Sequence, residues 1–324
     1  MAEIRYNPLL DEWVMVAANR QKRPAMEGAQ CPFCPGSGQV PEDYQVLSYA
    51  NDFPVLSIHP TMPESGLEAW RQVRPAYGVC EVVLYSPDHY ASLPELPVSQ
   101  IEKLIDLWVS RVRDLRQDPQ IRYIFLFENR GAEVGATMEH PHGQLYAYPF
   151  VPTVVQRELD ASHRYHQEHG HCLVCDLNDQ EGNGPRQVAE TEHMVSYIPY
   201  FTEYPFGAFV APRAHKSSLL DLDQVERQEL AWMLKAVSSG LDRVYQKPMP
   251  YMMALHQAPV NTSFKAHAYH FHVEFYPLLY APNKIKYRAS SEVGAGVAAN
   301  PASVEETAPL LRRAIQDARR DGQW

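Results

Sequence analysis

Long apolar runs are missing from this 324-residue sequence: none approaches the roughly 20 apolar residues of a membrane span. The opening MAEIRYNPLLDEW also lacks the basic-then-apolar order of a secretory signal. A soluble, cytoplasmic protein with no membrane partner is the expectation. Positive charge is scarce, with 29 Lys and Arg against 39 Asp and Glu and a net charge of −10. That balance argues against a broad basic face for nucleic acid, while leaving room for a few cations around a small anion. Cysteine is sparse as well, at five residues. Four of the five form two distant CxxC pairs, Cys31–Cys34 and Cys172–Cys175, which in an intracellular chain point to thiolate metal ligands more than to disulfides. Cys80, inside YGVCEVVLY, reads as a buried strand residue.

What is present is enough apolar residue, 45%, for one large core or two ordinary ones. The order of features repeats. CPFC (31–34), VCEVVLYSPDHY (79–90), a long helix, a strand and HPHGQ (140–144) are followed by CLVC (172–175), FGAFVAPRAHKS (206–217), a long helix, a strand and HFH (270–272). His89 precedes His140 by 51 residues and His215 precedes His270 by 55. Two divergent copies of one unit explain this more economically than coincidence does. Their junction falls near 160–170, in the polar ASHRYHQEHGH, giving units 1–165 and 166–324; NDQEGNGP (178–185) is then a loop in the second copy.

The helices carry local signals. Ser99 and Glu102 have capping-box spacing ahead of Ile101, Leu104, Ile105, Trp108, Val112 and Leu115 on one helical face. Leu222, Val225, Leu230, Leu234, Val237, Leu241 and Val244 mark the second helix, with Gly240 as a weak point, and Ser303 with Glu306 opens a third. IRYIFLF (121–127) and PYMMALH (250–256) read as the strands after the two long helices.

Cys31, Cys34, His89 and His140 supply the four soft or borderline ligands of a tetrahedral zinc site, and Cys172, Cys175, His215 and His270 repeat the set. Four ligands with no open position describe structural sites, although either CxxC pair could be reduced thiols in ordinary packing. If HPHGQLYAY is extended, His140, His142 and Gln144 point to one face, and Pro141 suits an edge strand or a strand's first residue. One histidine could then hold metal while the other meets a ligand as nucleophile or base. On spacing alone, two metal ligands or a surface turn fit equally well.

FENRGAEVGATMEHPHGQ (127–144) resembles the active-site segment of galactose-1-phosphate uridylyltransferases, a branch of the histidine-triad superfamily. ANRQKRP (18–24), CPFCPG (31–36), YANDFP (49–54), SPDHY (86–90) and HAYHFHVEFYP (267–277) have counterparts in the same order. The resemblance implies an α+β fold of two tandem histidine-triad-like domains, each a mainly antiparallel sheet with a packed long helix. It implies transfer of UMP between UDP-glucose and galactose 1-phosphate, or in reverse from UDP-galactose, with His142 as the nucleophile that becomes uridylylated and Gln144 holding the phosphoryl group. An amide can donate to a phosphoryl oxygen without supplying a proton near neutral pH. Asn51 and Asp52 match nucleotide contacts, Asn129 a phosphate neighbour, and Arg20 and Arg23 cations near the substrate; Lys286 and Glu292 match a segment reaching sugar and phosphate. Cys31, Cys34, His89 and His140 match zinc ligands, while Glu158, His256, His270 and His272 match a second metal site that holds iron or zinc in some members. The family also implies a homodimer whose sites borrow residues across the interface.

Two departures qualify the match. The best-known bacterial members have cysteine and serine where this chain has GATME, so that Thr137 substitutes in the phosphate contacts. Those members also lack the second CxxC; Cys172, Cys175, His215 and His270 instead resemble the second zinc site of a plant-type ADP-sugar phosphorylase. His270 is claimed by both second sites, and the Cys/His set is preferred because it repeats the first. An adenylyltransferase on ADP-glucose and a non-catalytic zinc-stabilised binding module are the rival functions.

Overall fold

The computed structural model describes residues 2–18, 31–63, 68, 70–264 and 266–322. The first half contains β1 (Ala2–Asn7), β2 (Glu12–Ala17), β3 (Leu47–Ala50), β4 (Val73–Pro75), β5 (Val79–Leu84), α1 (Val98–Leu115), β6 (Tyr123–Arg130) and β7 (His142–Tyr148). There follow α2 (Thr153–His169), α3 (Leu173–Glu181), β8 (Gln187–Glu190), β9 (Met194–Tyr197), β10 (Ala208–Pro212), α4 (Gln224–Val244), β11 (Tyr251–His256) and β12 (His272–Pro277). A small hairpin of β13 (Leu279–Ala281) and β14 (Lys284–Ile285), then α5 (Ser290–Gly294) and α6 (Val304–Arg320), completes the chain. Among the described residues no helix is long and apolar enough to cross a membrane.

The two repeats share one sheet. Nine antiparallel strands run in the order β3-β5-β7-β6-β11-β12-β10-β9-β8 among the described residues. Read inward from its own side, each half gives the same series: β3-β5-β7-β6 matches β9-β10-β12-β11. The halves meet where β6 pairs with β11, with Glu128 facing Met253 at the middle of that pairing. This local pseudo-twofold is the duplication expected from the chain order, and the fold is the expected α+β class.

Strand alternation sends odd and even residues to opposite faces. Leu145 and Ala147 of β7 join Ile124, Leu126, Met253, Val273 and Phe275 in the main core with α1, α4 and α6. Full burial of each such large side chain contributes about 1.5–3 kcal/mol, so the shared helix layer holds the two halves together. His142, Gln144, Tyr146 and Tyr148 face the other way, where Tyr146 and Tyr148 pack with Val155 and Leu159 of α2.

Several local expectations are corrected. Pro97 caps α1, and no side-chain capping bond forms there, because the fixed proline backbone already starts the helix and leaves Ser99 inside the first turn. The box sits on α4 instead: Asp223 Oδ1 accepts from the Glu226 N–H at 2.9 Å, and Glu226 Oε2 accepts from the Asp223 N–H at 2.8 Å. Ser303 does cap α6, but its Oγ donates to Glu305 Oε2 rather than pairing with Glu306. Val225 is 49% exposed, and Leu222 precedes α4. Gly240 has a packing reason: a Cβ there would stand 2.4 Å from Ile315 Cγ1 of α6, so its roughly 1 kcal/mol helix penalty is offset by close helix approach. ASHRYHQEHGH is largely helical, lying in α2 up to Gly170 at φ 74°, and NDQEGNGP begins inside α3. Of the two places that suit Pro141, the edge strand fails because β7 is internal between β5 and β6, while the start of a strand nearly holds, since Pro141 immediately precedes β7.

Candidate active site and metal centres

Cys31 and Cys34 lie in tight turns, with the Cys34 N–H donating to the Cys31 carbonyl at 3.3 Å. Cys34 Sγ stands 3.4 Å from His89 Nδ1 and 3.8 Å from His140 Nδ1. The four ligand atoms of Cys31, Cys34, His89 and His140 all fall within 4.8 Å of one another. His140 Nε2 is 2.8 Å from the Ser86 carbonyl, which makes it the protonated nitrogen and leaves the Nδ1 lone pair facing the thiols. Burial pushes the His140 imidazole down to about 4, so at neutral pH it is neutral, as a metal ligand would have to be.

The second half repeats this arrangement. Cys175 Sγ lies 3.5 Å from His215 Nδ1 and 3.3 Å from His270 Nδ1, and Cys172 completes a group with the same 4.8 Å spread. His270 Nε2 donates to the Pro212 carbonyl at 2.9 Å, as His140 does to Ser86. The hydrogen bond from Cys175 holds Cys172 well below the usual thiol range against the opposing effect of burial, and Cys175 is pushed up in turn.

Glu158, His256 and His272 form a third group. His270 turns to the cysteines, so the two second-site readings fall on separate clusters, and the third has three groups that could hold a metal. His256 Nδ1 is 2.9 Å from Glu158 Oε2, and His272 Nε2 is 3.0 Å from Glu274 Oε1. Burial alone would lower His256, but the Glu158 and Glu274 carboxylates outweigh it and hold the imidazole up at about 9. Burial opposes ionisation of Glu274 too, yet His256, His272 and the Tyr276 hydroxyl bring it down to about 2. Glu158 and His256 line a cavity of about 620 Å³ walled by Phe125, Tyr148, Phe201 and Phe209.

On the first-half side of the same sheet face, His142 Nδ1 donates to the His140 carbonyl at 2.8 Å, so Nε2 carries the ring's lone pair. Gln144 Oε1 accepts from the Tyr146 hydroxyl at 3.2 Å, so the NH₂ group is the donor end of the side chain. The Phe33 ring packs against both histidines, 5.9 Å from His140 and 5.6 Å from His142.

The remaining expected contacts are distributed as follows. Asn51 Oδ1 accepts from the Phe53 N–H at 2.8 Å, and Asp52 Oδ2 from the Tyr49 hydroxyl at 2.9 Å. Asn129 is on β6, and Thr137 is exposed in the loop that enters His140. Arg20 and Arg23 lie outside the described residues. Lys286 and Glu292 pair with each other at 3.1 Å, with the ammonium over the Tyr204 ring. Tyr204 packs on Tyr276 of β12, three strands from β7, or about 14 Å at ordinary strand spacing. Within one chain these two residues therefore do not join His142. Glu274, Tyr276 and Phe33 were not expected; the signal for Glu274 was present, since it stands four residues after His270 as Gln144 does after His140.

Comparison with known proteins agrees with this geometry. Residues 1–152 match the galactose-1-phosphate uridyl transferase N-terminal domain, and residues 158–289 match the C-terminal domain of the same family. The chain is 41% identical to the galactose-1-phosphate uridylyltransferase of Thermotoga maritima over 318 residues, 96% of this chain and 98% of that protein. A solved uridylyltransferase superposes with a TM-score of 0.90 at 33% identity, over 98% of this chain and 99% of the other. An ADP-glucose phosphorylase from Arabidopsis thaliana with bound ADP-glucose gives 0.76 at 27% identity, over 96% and 98%. With both halves matched in order, the chain belongs to the galactose-1-phosphate uridylyltransferase family.

Proposed function

We propose that this protein is a UDP-glucose–hexose-1-phosphate uridylyltransferase working through a uridylyl-histidine intermediate. The observation that supports the reading is the His142 Nδ1 bond to the His140 carbonyl, which puts the ring's lone pair on Nε2, as a nucleophile at that nitrogen requires. In the first half-reaction the Nε2 lone pair attacks the α-phosphorus of UDP-glucose. An N–P bond forms, the bridging P–O bond breaks, and its electron pair leaves on glucose 1-phosphate. Positive charge developing on the ring is stabilised by the carbonyl at Nδ1. Galactose 1-phosphate then attacks the same phosphorus, and the N–P bond returns its electrons to His142. A phosphate monoester with a second pKa of about 6 leaves without protonation, so an amide at 144 suffices.

The donor sets of Cys31, Cys34, His89 and His140 and of Cys172, Cys175, His215 and His270 suit tetrahedral zinc in a structural role. Glu158, His256 and His272 would take zinc or iron. The separation of Lys286 and Glu292 from His142 favours a homodimer in which a second copy brings them to the sugar phosphate, and a cytoplasmic site of action accords with such substrates. The second Cys/His group favours a second reading, an adenylyltransferase acting on ADP-glucose. Incubation with α-³²P-labelled UDP-glucose and ADP-glucose tests both: an acid-labile protein adduct from UDP-glucose, absent in His142→Ala, is expected. Label from ADP-glucose alone would transfer the assignment to the adenylyl reading, and no label from either would leave a binding module.

A further inference from the structure

The glycine of HPHGQ sits between His142 and Gln144, and its other face explains it. A Cβ at Gly143 would lie 2.4 Å from the Tyr85 hydroxyl and 2.9 Å from the Phe127 carbonyl. Tyr85 is 1% exposed and approaches the strand twice: its backbone N–H donates to the Pro141 carbonyl at 3.0 Å, and its phenol lies behind Gly143. The phenol also interacts with the Glu128 carboxyl, itself 5% exposed and at the centre of the β6–β11 pairing. Tyr251 of the second half donates to Glu128 Oε1 at 3.1 Å, while Oε2 has no well-aligned hydrogen-bond partner. Beside it, Arg130 reaches Asp242 of α4 through two bonds of 2.6 and 2.9 Å. A carboxylate buried among aromatic rings is costly for packing alone, and this one stands directly behind the strand that presents the nucleophile.

We propose that Tyr85 and Glu128 are positioning residues that set the backbone of His142 to Gln144 from the helix side, with Tyr251 tying that support to the second repeat. Neither touches substrate. Both act through the direction of the His142 ring and the Gln144 amide. The proposal rests on the nucleotidyl-transfer reading of His142.

The test uses the metal-replete full chain and follows single-turnover labelling by α-³²P UDP-glucose, melting temperature, and the NMR signals of the His142 imidazole. Tyr85→Phe and Glu128→Ala are expected to slow labelling about 10-fold or more, with half-saturation unchanged within about 2-fold and the imidazole signals displaced. Glu128→Gln, which keeps an oxygen acceptor for the Tyr251 hydroxyl and a polar group beside the Tyr85 phenol, should recover most of the rate. Gly143→Ala should slow labelling, and adding Tyr85→Phe to it should restore part of the loss, because the nearer of the two atoms in the way is gone. Unchanged rate and imidazole signals in Tyr85→Phe and Glu128→Ala, with only melting temperature lowered, would overturn the proposal. If the wild-type chain takes no label, the transfer reading fails separately. The imidazole signals then decide: displacement in the variants upholds positioning, and constancy ends it.

Discussion

His142 and His272 occupy equivalent places in the two repeats and hold the same hydrogen bond, each Nδ1 donating to the carbonyl of the histidine two residues earlier, at 2.8 and 3.0 Å. They part at the next residue on the same face. His142 has the neutral Gln144 two residues on, whereas His272 Nε2 is bonded to Glu274. On the proposed function, one repeat would meet an electrophile at this place, where the other has a carboxylate against its imidazole.

Replacing His142 by alanine removes the attacking nitrogen but leaves the metal groups and the core in place. Turnover should fall on the order of 10⁴-fold or more, as for nucleophiles elsewhere, with the melting temperature changed by only a few degrees. Steady-state rates beside thermal unfolding of the same preparation check this; wild-type turnover in the variant would remove His142 from its role.

Gln144→Glu copies the second repeat into the first. A carboxylate would face the phosphoryl oxygens and the His142 lone pair, so labelling by UDP-glucose should drop about 100-fold or more. A rate within a few-fold of wild type would show that the amide does not touch the phosphoryl group. Gln144→His should instead raise hydrolysis relative to transfer, read as the ratio of free UMP to UDP-galactose.

Cys31→Ser and Cys172→Ser each remove one sulfur from a four-residue group that could hold a metal. Each variant is expected to lose about one zinc per chain by mass spectrometry and to melt several degrees lower, because metal binding is linked to folding. Full zinc content in either variant would mean that its CxxC pair is ordinary packing.

The His256–Glu274 network predicts a pH profile for chelator-treated protein. His256, raised from 6.5 to about 9, contributes stability that is complete below 6.5 and is lost as pH rises through about 9. Glu274, lowered from 4.5 to about 2, contributes stability that is complete above 4.5 and is lost as pH falls through about 2. Melting temperature should therefore plateau between 4.5 and 6.5 and decline on the alkaline side, by on the order of 3 kcal/mol in stability. His256→Gln should erase that alkaline decline, and added divalent metal should flatten it, since a metal takes the proton's place. A decline that persists in His256→Gln would assign it to another group.

Chain order carried the duplication and suggested the ligand types, while the roles for HPHGQ came from the family resemblance. Each rests on residues close in sequence or repeated at similar spacing, as with Cys31 and Cys34, or His140 and His142. Local caps were less legible. Ser99 and Glu102 have the right spacing, but Pro97 started the helix first, and the Asp223–Glu226 box went unread. Other decisions needed the tertiary structure. The β6–β11 pairing merged the repeats into one sheet, side-chain direction gave His270 to the cysteines, and the turn after β5 brought Tyr85 behind Gly143. The physical reason is range. A chelating pair or an alternating strand is specified within a few residues, whereas which distant atoms come within a few ångströms depends on sheet register and packing, set by the whole core at once.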